Sequence, residues 1–245
     1  MTMDFELLGI CLDRKKIARG AHNAPDSIRR IFPQLETFVN GIDLEEHGLE
    51  DLGNIFPKSY EDMAKQIMLR RTNKFPIILG GDHSISFAAV KAIRPKNFVS
   101  FDAHPDCEPG ELHYNSVTRK IVEDGYKTYL YGVRCFSKRE TAYIQNNKRI
   151  QISTIEDLKK INGPTYLSID FDILDTSIMP SVSCPEPVGL TFDQVMRAVK
   201  ALSKNLIAVD FVELVPTDNV TATLIAGKLI YSTLAEIVKA KGTVK

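Results

Sequence analysis

Neither sign of charge is in surplus. The 245 residues carry 31 Lys and Arg against 31 Asp and Glu, so the net charge is zero. A nucleic-acid partner usually needs a basic face, and none is expected here. No apolar run approaches a membrane span, and the start, MTMDFELLG, has no basic segment leading into an apolar one. Neither a membrane partner nor a secretory leader is expected. Cysteine is scarce: Cys11, Cys107, Cys135 and Cys184 are scattered and form no CxxC pair. That pattern suits reduced thiols in a cytoplasmic protein and argues against a disulfide framework. Internal repeats, linkers and low-complexity stretches are also absent. What remains is ordinary, 44% hydrophobic and 25% charged, and the length suits one α/β domain over residues 1–245.

The unusual residues gather at the ends of apolar runs. NFVSF reads as a strand, and it runs into Asp102, His104 and Asp106. Alternate residues of a strand share a face, and at ~3.3 Å per residue Asp102 and His104 sit about 6.6 Å apart, close enough to converge. Asp106, about 13 Å from Asp102 along an extended chain, joins only if the chain curls, which Pro105 favours. TYLSIDFDILD repeats the logic with Asp170 and Asp172 alternating on a strand. Carboxylates near a core cost several kcal/mol in desolvation, and a divalent cation is the common remedy. GGDHS adds His83, with Gly80–Gly81 allowing a close approach or a sharp turn.

The rest alternates strand and helix. FELLGICLD and PIILGG read as strands, as do TYLYGVR and LIAVDFVE. Helices are expected from Pro25, over Tyr60–Arg71, in SFAAVKAI, VTRKIVEDGY and RETAYIQNN, from a Ser153–Glu156 capping box to Lys160, over Thr191–Leu202, and from Asn219 onward. FVNGIDL is read as a second strand, and EEHGLEDLGNIFP as a polar connection. No short hairpin is expected. The pattern predicts a three-layer α/β fold with a doubly wound, mainly parallel sheet, whose ligands bind at the carboxyl ends of the strands. Four carboxylates and two imidazoles without a thiolate suit hard to borderline ions such as Mn²⁺, and that much charge suits two ions.

GGDHS, SFDAHPD, SIDFDILD and DFVELVP, in this order and spacing, resemble the ureohydrolase family of arginases and agmatinases. APDSIRRIF, LYGVR and TATLIAGKLI extend the likeness over nearly the whole chain. The resemblance implies an arginase-like α/β sheet and two Mn²⁺ per chain, whose bridging hydroxide attacks a guanidinium carbon. It implies that His83, Asp102, Asp106 and Asp172 hold or bridge one side of the metal pair, and that His104 and Asp170 complete the other. Asp106 would also accept a hydrogen bond from the hydroxide. Glu213 would pair with the substrate guanidinium, for which a bidentate carboxylate is the natural partner. His113 would carry a proton to the leaving amine, as an imidazole near neutrality can. Departures include Tyr114, Thr176, Ser183–Cys184 and Val215. Only CEPGEL separates Asp106 from His113, where arginases have a longer loop that binds the amino-acid end of arginine. Glu108 and Glu111 in this short connection would repel a carboxylate and welcome an amine, so agmatine is expected over arginine or another guanidino or formimino substrate. A homo-oligomer, trimer or hexamer, is implied as well. The rival readings are a catalytically idle binding or assembly subunit and a single-metal deacetylase of related topology.

Overall fold

Ten strands and eight α-helices follow from these patterns in the computed structural model, which describes residues 2–14 and 20–242. The strands are β1 (Phe5–Ile10), β2 (Phe38–Val39), β3 (Ile42–Asp43), β4 (Leu49–Ile55), β5 (Phe75–Leu79), β6 (Asn97–Phe101), β7 (Lys127–Tyr131), β8 (Ile150–Ile152), β9 (Thr165–Asp170) and β10 (Leu206–Val212). The helices are α1 (Ala24–Ile31), α2 (Tyr60–Arg70), α3 (Ile85–Ile93), α4 (Val117–Glu123), α5 (Lys138–Asn146), α6 (Ile155–Lys159), α7 (Phe192–Leu202) and α8 (Thr221–Gly242). Part of the loop expected before α1 lies outside the described residues.

Eight strands form one sheet in the order β4-β1-β5-β10-β9-β6-β7-β8, with every neighbouring pair parallel. The central strands are buried on both faces, and their side chains divide by parity, as a period of two requires. Phe5, Leu7, Ile77, Val99, Phe101, Leu167, Val209 and Phe211 join one core beneath residues of α1, α7 and α8. Leu8, Ile10, Ile78, Phe98, Tyr166 and Ala208 join the other, beneath α2 and α3. The fold is the doubly wound α/β sandwich expected.

Several local expectations are corrected. FVNGIDL is no strand of the main sheet. Asn40, at φ 52, and Gly41, at φ 81, turn it into the small antiparallel hairpin β2-β3. The connection after it contains β4, an edge strand whose exposed outer face conceals it from a search for apolar runs. The three-residue β8 also escapes such a search. Thr154, not Ser153, caps α6 and pairs with Asp157 in the capping box. Finally, α8 is long and apolar enough, by length and composition, to cross a membrane. Its Thr, Ser and Tyr residues break up any visible apolar run, and 67% of its most apolar stretch is buried inside the fold.

Candidate metal centre

Four adjacent strands, β5, β10, β9 and β6, end level with one another: Leu79 pairs with Phe211, Asp170 with Val212, and Ile169 with Phe101. The residues just past those ends are the ones the sequence singles out. Close backbone packing brings them together. A side chain at Gly81 would overlap the Leu12 carbonyl, and Glu213 N donates to Gly81 O at 2.9 Å. Gly81 thus serves close approach at a bend in the chain.

The strand of SFDAHPD stops at Phe101, and the chain then curls. Asp106 takes φ 50, in the left-handed region that costs a non-glycine residue about 1–3 kcal/mol. The curl brings Asp106 back beside Asp102. His83 Nδ1 lies 3.0 Å from Asp102 Oδ2, 3.0 Å from Asp106 Oδ2 and 3.5 Å from Asp170 Oδ2. On the other side of Asp102, His104 Nδ1 lies 2.9 Å from Asp172 Oδ2 and 3.6 Å from Asp102 Oδ1. All six expected residues therefore meet, with Asp102 between two imidazoles. The sides expected for Asp170 and Asp172 are exchanged. Asp172 is not on β9 but in the tight turn Phe171–Ile173, where its Oδ1 accepts from Ala103 N at 2.9 Å and is drawn toward His104.

Five of the six are buried, and His104 keeps 23% of its side chain exposed. His83 Nδ1 and Asp102 Oδ2 are buried without a hydrogen-bond partner, despite their short separation. Burial, then the charge of Asp102, raises Asp106, while His83 opposes the shift. Burial and the charges of Asp172, Asp102 and Glu213 raise Asp170 strongly. Burial and Asp102 raise Asp172 against the pull of His104. For His83 burial opposes charge, but Asp102 and Asp106 outweigh it and raise the imidazole well above its usual value. His104 is raised against burial by Asp102 and Asp172. Acids packed against acids, with orphaned atoms between them, fit a divalent cation. Two overlapping donor groups, His83–Asp102–Asp106 and Asp102–His104–Asp172, each converge within 4.8 Å.

Glu213 is also buried and takes φ 69, another strained backbone at the site. Its Oε1 accepts from His83 N at 2.8 Å and its Oε2 from Ser183 Oγ at 2.7 Å. Ser183 reaches it because the Pro-rich loop is pinned alongside, with Val215 N donating to Ser181 O at 2.8 Å. His113 is half-buried. Its N donates to Ser116 Oγ at 2.9 Å, and its ring packs on Tyr114 at 4.3 Å between centroids. Glu111 is exposed, while Glu108 is half-buried and accepts from Ser137 Oγ.

Sequence reasoning missed three neighbours. Ser168 Oγ lies 3.0 Å from His83 Nε2, behind the ring. Cys135 and Glu186 flank the outer edge of His104, and the three form a further donor group within 4.8 Å. Ser168, on the inward side of SID, was legible from alternation with Asp170. The other two come from separate loops, and no spacing joins them.

A parallel α/β sheet that gathers buried carboxylates and imidazoles at its central strand ends defines a metal-binding α/β enzyme class. The comparisons fix the family. A model described as the Arginase family matches residues 3–235. The N(1)-aminopropylagmatine ureohydrolase of Thermococcus kodakarensis is 30% identical over 96% of this chain and 91% of its own length. The agmatinase of Pyrococcus horikoshii is 30% identical over 82% of this chain and 79% of its own. A solved structure, the agmatine ureohydrolase of Thermoplasma volcanium, has TM-score 0.84 and 28% identity over 99% of this chain and 92% of that one. The chain belongs to the arginase family and is an enzyme of the ureohydrolase type.

Proposed function

We propose that this enzyme hydrolyses a guanidine to urea and an amine with two Mn²⁺ ions, and that agmatine, giving putrescine, is its favoured substrate. One observation carries the reading: two imidazoles and four buried carboxylates converge where two of their atoms lack a hydrogen-bond partner. His83, Asp102, Asp106 and Asp170 would hold one ion, and Asp102, His104 and Asp172 the other. The ions when bound supply an activated water at neutral pH and charge stabilisation for its attack.

The chain's own residues do the rest. A carboxylate has about four acceptor sites, and His83 N and Ser183 Oγ occupy two on Glu213, which fixes its plane. A carboxylate held in that plane suits the two parallel N–H groups of a guanidinium. Asp106, turned inward by its φ, accepts the hydrogen bond of the attacking water. His113, on the loop just past Asp106, delivers a proton to the departing amine. Its backbone bond to Ser116 and the Tyr114 ring hold it in place.

For the tail, Glu111 supplies an exposed carboxylate that favours the ammonium of agmatine over the carboxylate of arginine. Glu108, engaged by Ser137, is the weaker candidate. The names of the Thermococcus and Pyrococcus relatives support an agmatine-type substrate. We extend the reading to a cytoplasmic homo-oligomer. Exposed Phe56, Met68 and Leu69 on and beside α2 offer apolar surface for subunit contact, and none of the four cysteines is in a disulfide. Urea release from agmatine, arginine and guanidinobutyrate with added Mn²⁺ tests the reading. The expected order places agmatine first in kcat/KM. Faster hydrolysis of arginine would replace the agmatinase reading with the arginase one.

A further inference from the structure

His104 has two faces, and only one belongs to the cluster just described. Its Nδ1 points at Asp172 and Asp102, while its Nε2 lies 3.6 Å from Glu186 Oε1. The Cys135 thiol completes the outer group, with all three donors within 4.8 Å of one another. Each comes from a different loop, and the loops are fastened together. Arg134 N and Cys135 N donate to Ala103 O at 2.9 and 3.1 Å, tying the thiol to the loop that carries His104. The Arg134 guanidinium donates to the carbonyls of Asp172, Glu186 and Pro187 at 2.8, 2.9 and 3.0 Å, clamping the Glu186 loop against the same spot. Three donors of different chemistry are thus held in place by main-chain bonds.

We propose that Cys135, Glu186 and His104 Nε2 form an inhibitory site for a thiophilic divalent cation such as Zn²⁺, which competes with the catalytic pair for His104. The inference rests on the proposed metal centre for its inhibitory consequence, but not for the existence of the site. Thiolate and imidazole select softer ions, whereas the inner cluster, with oxygen and imidazole donors alone, suits Mn²⁺. On binding, the Cys135 thiol releases its proton to solvent, because a coordinated thiol is deprotonated outright. A neutral imidazole has one lone pair, so His104 serves one site at a time. When Nε2 binds the outer ion, the ring proton sits on Nδ1, and the inner cluster loses a ligand. Zinc therefore inhibits without occupying the substrate position, and the enzyme stays active only where free zinc is scarce.

The test has two arms. First, Co²⁺ is titrated into the full-length, chelator-stripped chain while the near-ultraviolet thiolate-to-cobalt charge-transfer band is recorded. The inner cluster has no sulfur and contributes nothing to that band. The band is expected in the wild type and in Cys184→Ser, and is expected to vanish in Cys135→Ser. Its absence from the wild type, or its survival in Cys135→Ser, overturns the site, whether or not the protein hydrolyses any guanidine. Second, Zn²⁺ is titrated against urea release by the Mn²⁺-loaded enzyme. Loss of a direct ligand should exceed the effect of losing a partner behind one, so Cys135→Ser should need at least about tenfold more zinc for half-inhibition. Equal sensitivity in the two proteins, with the cobalt band confirmed, would overturn the competition for His104. Mn²⁺-dependent activity without any Cys135 band would leave the inner centre standing and remove the outer one.

Discussion

A lone buried acid and a cluster of four, all on the same sheet, sit in opposite company. Asp210, inside β10, is fully buried, and its Oδ2 accepts from Ser86 Oγ and Tyr166 Oη at 2.6 Å each. A few residues away, Asp102, Asp106, Asp170 and Asp172 face each other and two imidazoles. Asp210 Oδ1 lacks a hydrogen-bond partner, as Asp102 Oδ2 does, so such an oxygen alone does not mark a cation site. Company is the difference. Asp210, raised by burial, is countered by neutral hydroxyls, whereas Asp106, Asp170 and Asp172 are raised by burial and then by neighbouring acids, and Asp102 is lowered by the two imidazoles. Position on the strand decides which case holds. A residue inside the strand is packed round by neighbours, and one just beyond its end is free to converge with residues from other strands.

The largest expected effect lies outside both groups. His113→Asn should lower kcat on the order of 10²–10⁴-fold while leaving metal content intact, since proton delivery does not hold the ions. Wild-type turnover in that variant would move the proton shuttle elsewhere. Next, Asp170→Asn should weaken Mn²⁺ binding by at least about 100-fold, beyond the 10–100-fold typical of a group behind a ligand. The titration should be run beside Asp210→Asn, for which unchanged Mn²⁺ affinity is expected. Equal losses in both would erase the distinction between the two groups. Asp210→Ala strands the hydroxyls of Ser86 and Tyr166, and should cost about 1–3 kcal/mol in urea unfolding without altering metal content.

A smaller effect is the pH dependence of the chelated chain. Asp106, Asp170 and Asp172 have folded values above the unfolded ~3.9, so their contribution to stability is full below that value and is lost as pH rises through the folded ones. His83 and His104, raised above the unfolded ~6.5, lose theirs in the same direction at higher pH. Asp102 is lowered, against burial, by His104 and His83, and its contribution is constant above its unfolded value. Tm of the chelated chain should therefore fall between about pH 5 and about pH 8, and Mn²⁺ should remove most of that fall. A chelated chain that gains Tm across this window would contradict the crowded-acid picture.

Much of this was legible because β6 and β9 are apolar runs that end abruptly in acids. A parallel sheet puts such ends on one rim, so His83, Asp102, His104, Asp106, Asp170, Asp172 and Glu213 could be named without coordinates. The failures share a cause. β4 lies at the sheet edge and shows solvent a polar face, so no periodicity betrays it. Asp172 looked like a strand residue alternating with Asp170, but the chain tightens into a turn one residue earlier, and a hydrogen bond to Ala103 N decides its side. Glu108 looked free to meet a substrate, yet the cap of α5 lies within reach of its carboxylate. Glu186 and Cys135 are 51 positions apart, and the Arg134 clamp together with the Ala103 carbonyl brings them to His104. Loop-to-loop contacts of this kind depend on tertiary packing that local pattern does not encode.

Anomalous diffraction at the manganese absorption edge, from crystals equilibrated with Mn²⁺, tests the central proposal most directly. The expected result is two peaks, one among His83, Asp102, Asp106 and Asp170 and one among Asp102, His104 and Asp172, with Asp210 bare. A single peak in fully active protein, or no peak among these residues, would contradict it.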